Sequence, residues 1–421
     1  MNTRSRLRDT LKLSALVVAL ASTASAHASD WTRFGGANAD FTVAGAGIAR
    51  EWPAEGPKEL WRVELGEHGH ATPLVEGDRV YVFVREGGND VLAALDATSG
   101  ETAWRVSYES PLPEGYNNQF GPGPHSTPLI VGDRIFTVSS THVLKAWNKR
   151  DGSSLWTVAM KEELGSQQMG RGYGASPAAW KDMVIVNGGG EGQGVVAFDQ
   201  ESGEVVWKAL DGGGYSSPVI ATIDGVPQVL AALGSLRAGL DPDTGAVLWT
   251  VELPEEARTT FATQLVADDN LIFSSSAYAD GSRILDVRRN GDEWAAEVLW
   301  YTRKLRLMHG SVVRSGNTVL ASSGDFGPAF LTGIDLESGE LRFRQRGFAK
   351  ANVVKVDDLF LVLDEDGKLG LLSLGPEGLD VLAEKEGVLN GVTWSAPVVV
   401  GSRAYLRSRT EVVAIDLAAG S

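Results

Sequence analysis

Six histidines occur in the 421-residue chain, and three of them, His70, His125 and His309, stand just ahead of strand starts at Thr72-Pro73, Thr127-Pro128 and Ser311-Val312. Tyr173, Tyr215 and Trp394 occupy comparable places, and Arg171 lies in the loop Gln167 to Gly174. A ring of imidazoles and aromatics above an opening suits metal, carbohydrate or cofactor binding, and the blander alternative is hydrogen bonding between loops that plugs the opening. Three-histidine ligation needs a narrow opening, because His309 comes from a unit four further on than His125. The acidic runs Glu162-Glu163, Glu255-Glu256 and Asp364-Glu365-Asp366-Gly367 fall in or beside expected turns, and the last lacks the spacing of a twelve-residue calcium loop. No Gly-x-Ser-x-Gly elbow or His-Glu-x-x-His helix occurs, and neither triple glycine, 188–190 or 212–214, has the Lys-Ser/Thr of a phosphate loop. No catalytic residue is assigned.

The elements that must position these side chains repeat. The pattern small-apolar-Asp-x-x-Thr/Ser-Gly-x-x-x-Trp appears at Ala94 to Trp104, Ala197 to Trp207 and Gly239 to Trp249, with Asp to Gly always four and Asp to Trp always eight. Ala146 to Trp156 keeps the spacing with Asn148 for Asp, and Ile334 to Phe343 puts phenylalanine in the tryptophan place. Two units are degenerate: Leu285-Asp286 leads through Asn290-Gly291 to Trp294 or Trp300, and Leu371 runs through Gly378 to Leu382. The Asp accepts backbone N–H groups in the turn, the Gly supplies positive φ, and the tryptophan on the outgoing strand fills the wedge to the next sheet. The expected docking residues are Trp61, Trp104, Trp156, Trp207, Trp249 and Trp300.

A second signature, a small residue then Pro and an apolar strand, recurs about 25 residues before each of these turns and counts eight units with a period near ~45, the length of a four-stranded blade. Trp61 sits on a strand with no upstream Asp turn, while Ala414-Ile415-Asp416 has a turn with no tryptophan after it. The reading is an all-β, eight-bladed β-propeller whose ring closes when the N-terminal strand completes the last blade, leaving no open edge between the two ends.

Arg4, Arg6, Arg8 and Lys12 ahead of the apolar run Leu13 to Leu20 form a secretory leader, with cleavage after Ala26 or Ala28. The run is too short to span a bilayer, so the mature chain is expected to be soluble, without a membrane anchor, and periplasmic or extracellular. The expected divisions are a leader over 1–28, an N-terminal extension over 29–57 and the propeller over 58–421. Net charge is −16, which argues against nucleic acid as a partner. The absence of cysteine removes disulfides, thiolate metal sites and a lipidated cysteine.

The repeats resemble the pyrroloquinoline-quinone-like propeller family, matched residue by residue at Ala94 to Trp104 and Ala197 to Trp207. The opening Trp31-Thr32-Arg33-Phe34-Gly35-Gly36 is similar to that of many exported bacterial members. The resemblance implies the fold for essentially the whole mature chain; the motif packs blades and does not itself do chemistry. Two kinds of relative frame the function. Quinoprotein alcohol dehydrogenases hold the quinone (PQQ) and Ca²⁺ over the channel, often against a disulfide that a cysteine-free chain cannot supply. The propeller lipoprotein of the outer-membrane β-barrel assembly machine requires a lipidated cysteine, which this chain also lacks. The leading expectation is a non-catalytic exported propeller that recognises a protein, peptide or glycan at one rim and requires no cofactor. Its ligand-binding residues would be His70, His125, Arg171, Tyr173, Tyr215, His309 and Trp394. The alternative is a quinoprotein-type oxidoreductase with a cation held near Asn117, Asn118 and Asn390.

Overall fold

Strands with apolar residues on both faces sit in the middle of each repeat, and strands that alternate sit at its outer end. Arg79–Glu86 and Asn89–Asp96 are buried along nearly their whole length, whereas Thr102–Glu109 alternates between exposed and half-buried. A strand buried on both faces must lie between two neighbouring sheets, and an alternating one must lie at the rim. This is the arrangement found in the computed structural model, which describes residues 30–167, 170–258, 263–278, 280–324 and 327–418. The leader and its cleavage sites at Ala26 and Ala28 lie outside the described residues.

The described residues form eight antiparallel sheets in which chain order runs from the centre outward. Blades one to seven cover 74–109, 129–159, 178–209, 219–252, 265–302, 312–345 and 351–385. Blade eight takes its three inner strands from 398–416 and its outermost strand from Lys58–Glu64, paired antiparallel to Glu411–Asp416. The ring closes as the repeat count requires. Trp61, on that closing strand, docks onto blade one through an indole N–H bond to the Ala97 carbonyl at 3.1 Å.

The same joint recurs around the ring. Trp156, Trp207 and Trp300 donate to the carbonyls of Gln200, Pro242 and Leu336 at 3.0, 3.1 and 2.8 Å, each one residue after the Asp of the next blade. The turn glycine four residues after each Asp has positive φ, and a Cβ on Gly245 would stand 2.6 Å from the Trp207 ring. Trp104 packs against Gly152 in the same way. Trp300 rather than Trp294 is the docking residue of the degenerate fifth blade. The inserted residues form the long hairpin Ser282–Asn290 and Glu293–Thr302, whose Val287, Trp294 and Ala296 pack with Trp249. Trp249 still lies at a blade junction, but its indole N–H turns inward to Gln228 Oε1 of its own blade at 2.7 Å.

The small residue before each inner strand has a role that the sequence pattern did not disclose. The Thr72 N–H donates to Thr127 Oγ1, Thr127 N–H to Ser176 Oγ and Ser176 N–H to Ser217 Oγ, at 3.0, 3.0 and 2.8 Å. Ser311 N–H reaches Asn352 Oδ1 at 3.1 Å. Side-chain oxygens thus link blade to blade around the upper channel, satisfying N–H groups that no strand partner reaches.

The extension over 29–57 enters the channel. Trp31 pairs with Val75 of blade one, the Thr32 carbonyl accepts from Ile130 of blade two, and Thr42–Val43 returns as a short strand parallel to Ala351–Val356 of blade seven. Gly35 and Gly36, both at positive φ, turn this hairpin at its tip; a Cβ on Gly35 would meet the Ala39 backbone at 2.7 Å.

Candidate functional site

The rim at the N-terminal ends of the inner strands holds a cavity of about 150 Å³. Six of the seven rim residues expected from the sequence line it together: His70, His125, Arg171, Tyr215, His309 and Trp394. Tyr173 does not. It is 1% exposed and packs in the core between blades two and three, edge-on to His142 with ring centroids 5.2 Å apart. Sequence reasoning missed Phe34, Phe120 and Asn352 as lining residues. Phe34 comes from the channel hairpin, and the signal for it was an aromatic followed by two glycines in a segment with no repeat of its own.

The rings form a row. His309 lies 4.5 Å from Trp394, Trp394 lies 4.7 Å from His70, and His70 stacks on His125 at 5.6 Å with planes 11° apart. Phe120 meets Trp394 edge-on at 5.5 Å. A guanidinium flanks each of these two: Arg171 over Phe120 at 5.2 Å and Arg409 over Trp394 at 5.0 Å. Trp394 is held at both ends, its indole N–H donating to Glu365 at 3.1 Å and its carbonyl accepting from Asn352 at 3.0 Å. The Asn352 side chain is thereby used on both its oxygen and its nitrogen.

Burial pushes the rim imidazoles toward their neutral forms. His309 is lowered to about 3 by burial and then by Lys350, and His125 to about 4, mainly by burial. His70 falls well below its usual value through burial, then His125 and Arg409. All three are uncharged at neutral pH. His70 Nε2 stands 3.1 Å from the Phe120 carbonyl and 3.2 Å from Arg409 Nε, so a neutral ring serves one of them at a time. In either tautomer its Nδ1 has no partner among the described residues, and neither has His309 Nε2 or Arg171 Nε. Three residues that line the cavity thus each carry a buried polar atom without a partner among the described residues.

The donor set does not make a metal centre. Among the described residues no group of three or more His, Asp or Glu side chains is placed to hold an ion, and no Asp or Glu lines the cavity. Asn117, named above as a possible cation-site amide, caps the short turn Asn118–Phe120 through the Gln119 N–H at 3.0 Å. The cavity has about the volume of one that takes a single benzene ring and is open to solvent on one side. Among the described residues the lining therefore supplies no carboxylate for a Ca²⁺ beside a quinone. The acidic runs are structural: Glu163 accepts from the Ala159 N–H at 2.7 Å, Glu255 pairs with Arg258 at 2.6 Å, and Asp364 accepts from Asp366 and Lys368 N–H groups at 3.0 and 2.9 Å.

The family model for the outer membrane protein assembly factor BamB matches residues 22–119 and 88–345. The chain belongs to this family. It is 28% identical over 206 residues to the BamB protein of Shewanella oneidensis, a match over 48% of this chain and about half (49%) of that protein. Identity to the BamB protein of Moranella endobia is 24% over 335 residues, covering 73% and 75% of the two chains. The BamB crystal structure from Moraxella catarrhalis superposes with a TM-score of 0.60 at 18% identity, over 86% of this chain and 98% of that one. A europium-containing methanol dehydrogenase gives 0.67 at 14% identity, over 90% and 89%. At these identities the structural likenesses speak for the fold alone, and the BamB family membership rests on sequence.

Proposed function

We propose that this chain is an exported, non-catalytic propeller that binds a protein partner at the rim of its channel, in the periplasm, as part of outer membrane protein assembly. The observation that carries this reading is the rim cavity, in which aromatic faces converge on a guanidinium with no carboxylate and no metal donor set among the described residues, on a member of the BamB family. Such a surface is built to recognise rather than to react. His70, His125, Arg171, Tyr215, His309 and Trp394 are its proposed contact residues, and glycan recognition is the competing use of the same aromatic faces.

Co-purification from the native host, with the outer membrane protein assembly machinery probed directly, tests the reading: association is expected for the wild type and is lost in Trp394→Ala. Thermal melting with and without pyrroloquinoline quinone, each with and without Ca²⁺, separates the oxidoreductase alternative. A ligand at a hundredfold excess over its Kd adds ~2.7 kcal/mol to the folded state, so binding would be visible. No shift is expected in any arm; a calcium-dependent rise would overturn the non-catalytic reading.

A further inference from the structure

The rim cavity has a chemical preference written into its walls. The chain carries 54 acidic against 38 basic side chains, yet no carboxylate lines this cavity among the described residues, and Arg171 does. No ion pair is formed by Arg171 or Arg409 among the described residues; both guanidiniums lie over aromatic rings at the opening. Burial lowers the pKa of Arg409, the mark of a cation short of compensating negative charge. Arg171 lines the cavity with no ion-pair partner among the described residues, an arrangement suited to receiving an anion.

Size and surface restrict what carries that anion. The cavity holds about one six-membered ring, its walls are largely rings, and Phe34 closes the floor. A sugar ring would need partners for several hydroxyls. Thr127, Ser176 and Ser217 each already accept one bond from the neighbouring blade and Asn352 is engaged at both ends, while the walls offer several ring faces and one guanidinium.

We propose that the rim cavity binds a single aromatic ring bearing a carboxylate, with the ring against Trp394 and Phe34 and the carboxylate on Arg171. The inference rests on the rim being the binding surface and names what that surface takes. The ligand is either a free aromatic acid or the last residue of a chain, which present the same chemistry.

Calorimetric titration of the whole mature protein with four probes tests it: phenylacetate, Gly-Gly-Phe with a free carboxylate, Gly-Gly-Phe amide, and glucuronate. The two phenyl acids are expected to bind, and the amide at least about tenfold more weakly than its acid, the effect of losing one charge-assisted bond. Tighter binding of phenylacetate than of the tripeptide assigns the site to a free acid, and the reverse order to a chain terminus. Arg171→Gln, with an unchanged melting midpoint, should bring acid and amide to the same affinity; the acid–amide contrast in the wild type stands even if that variant fails to fold. Equal binding of acid and amide, preference for glucuronate, or no binding of any probe at millimolar concentration would overturn the proposal. Loss of partner association in Trp394→Ala alongside any of those results would sink the aromatic-acid ligand and leave the rim as the binding surface.

Discussion

Trp300 and Trp394 are the same residue type in opposite circumstances. Trp300 lays its ring on Gly339 of the next blade, and its indole N–H ends on the Leu336 carbonyl, so face and edge are both used up within the fold. Trp394 is anchored just as firmly, through Glu365 and Asn352, but its faces meet imidazoles with unmatched nitrogens and an open cavity. At the Trp61, Trp156, Trp207 and Trp300 junctions the indole N–H is matched by a carbonyl of the next blade, whereas His70 and His309 at the rim each keep a ring nitrogen without a partner among the described residues. Matched groups hold the ring closed; the open ring faces are left for something outside the chain.

The largest expected effect breaks a junction. Trp207 is 7% exposed, with its indole bonded to Pro242 and its ring on Gly245, so Trp207→Ala should cost about 3–5 kcal/mol in a denaturant melt. Trp394→Ala, which loses the Glu365 bond and its ring contacts but opens onto an existing cavity, should cost less than Trp207→Ala and take its main effect in binding. Next comes the opposite partner of the same joint. Gly245 has φ of +73° and no room for a Cβ, so Gly245→Ala should destabilise by about 2 kcal/mol, measured in the same way.

The smallest effect is in pH dependence, and it separates the two regions by window. His125 and His309 are neutral in the folded state down to about 4 and about 3, while an unfolded histidine protonates near ~6.5. The unfolded chain therefore binds more protons below that value, so the rim contribution to stability is full above it and declines as pH falls toward 4. At the junctions Asp199 is held below the usual carboxylate range, chiefly by the Ser202 backbone N–H. Its contribution is present above about 4 and is lost as pH falls through its lowered value. Melting midpoints from pH 7 to pH 3 should show both limbs, and His309→Gln should flatten only the upper one.

How much of this was legible in the sequence follows the same division. The Asp–Gly–Trp joint is local in spacing and its physics is fixed by residue type, so blade number, ring closure by Lys58–Glu64 and most docking tryptophans could be read directly. Rim residues in equivalent register were found for the same reason. Tyr173 was misplaced because register fixes a position on the rim and not the direction of a side chain, which here turns between two blades. Trp249 kept its spacing, but its indole N–H turns to Gln228 of its own blade, and its ring packs with the long hairpin of blade five. The channel hairpin had no repeat to betray it: Trp31, Phe34 and Gly35 act through contacts with blades one, two and seven, far away in sequence. Arg409 was missed because nothing in its surroundings along the chain marks a cation aimed at Trp394.

Site-specific photo-crosslinking in the native host tests the central claim most directly, with the reactive side chain placed at Tyr215 on the rim or at Val206 on the exposed outer strand Val205–Ala209. The account predicts a discrete protein adduct from position 215 that disappears in Trp394→Ala, and none from position 206. An adduct from position 206 alone, or one from position 215 that survives Trp394→Ala, would contradict it.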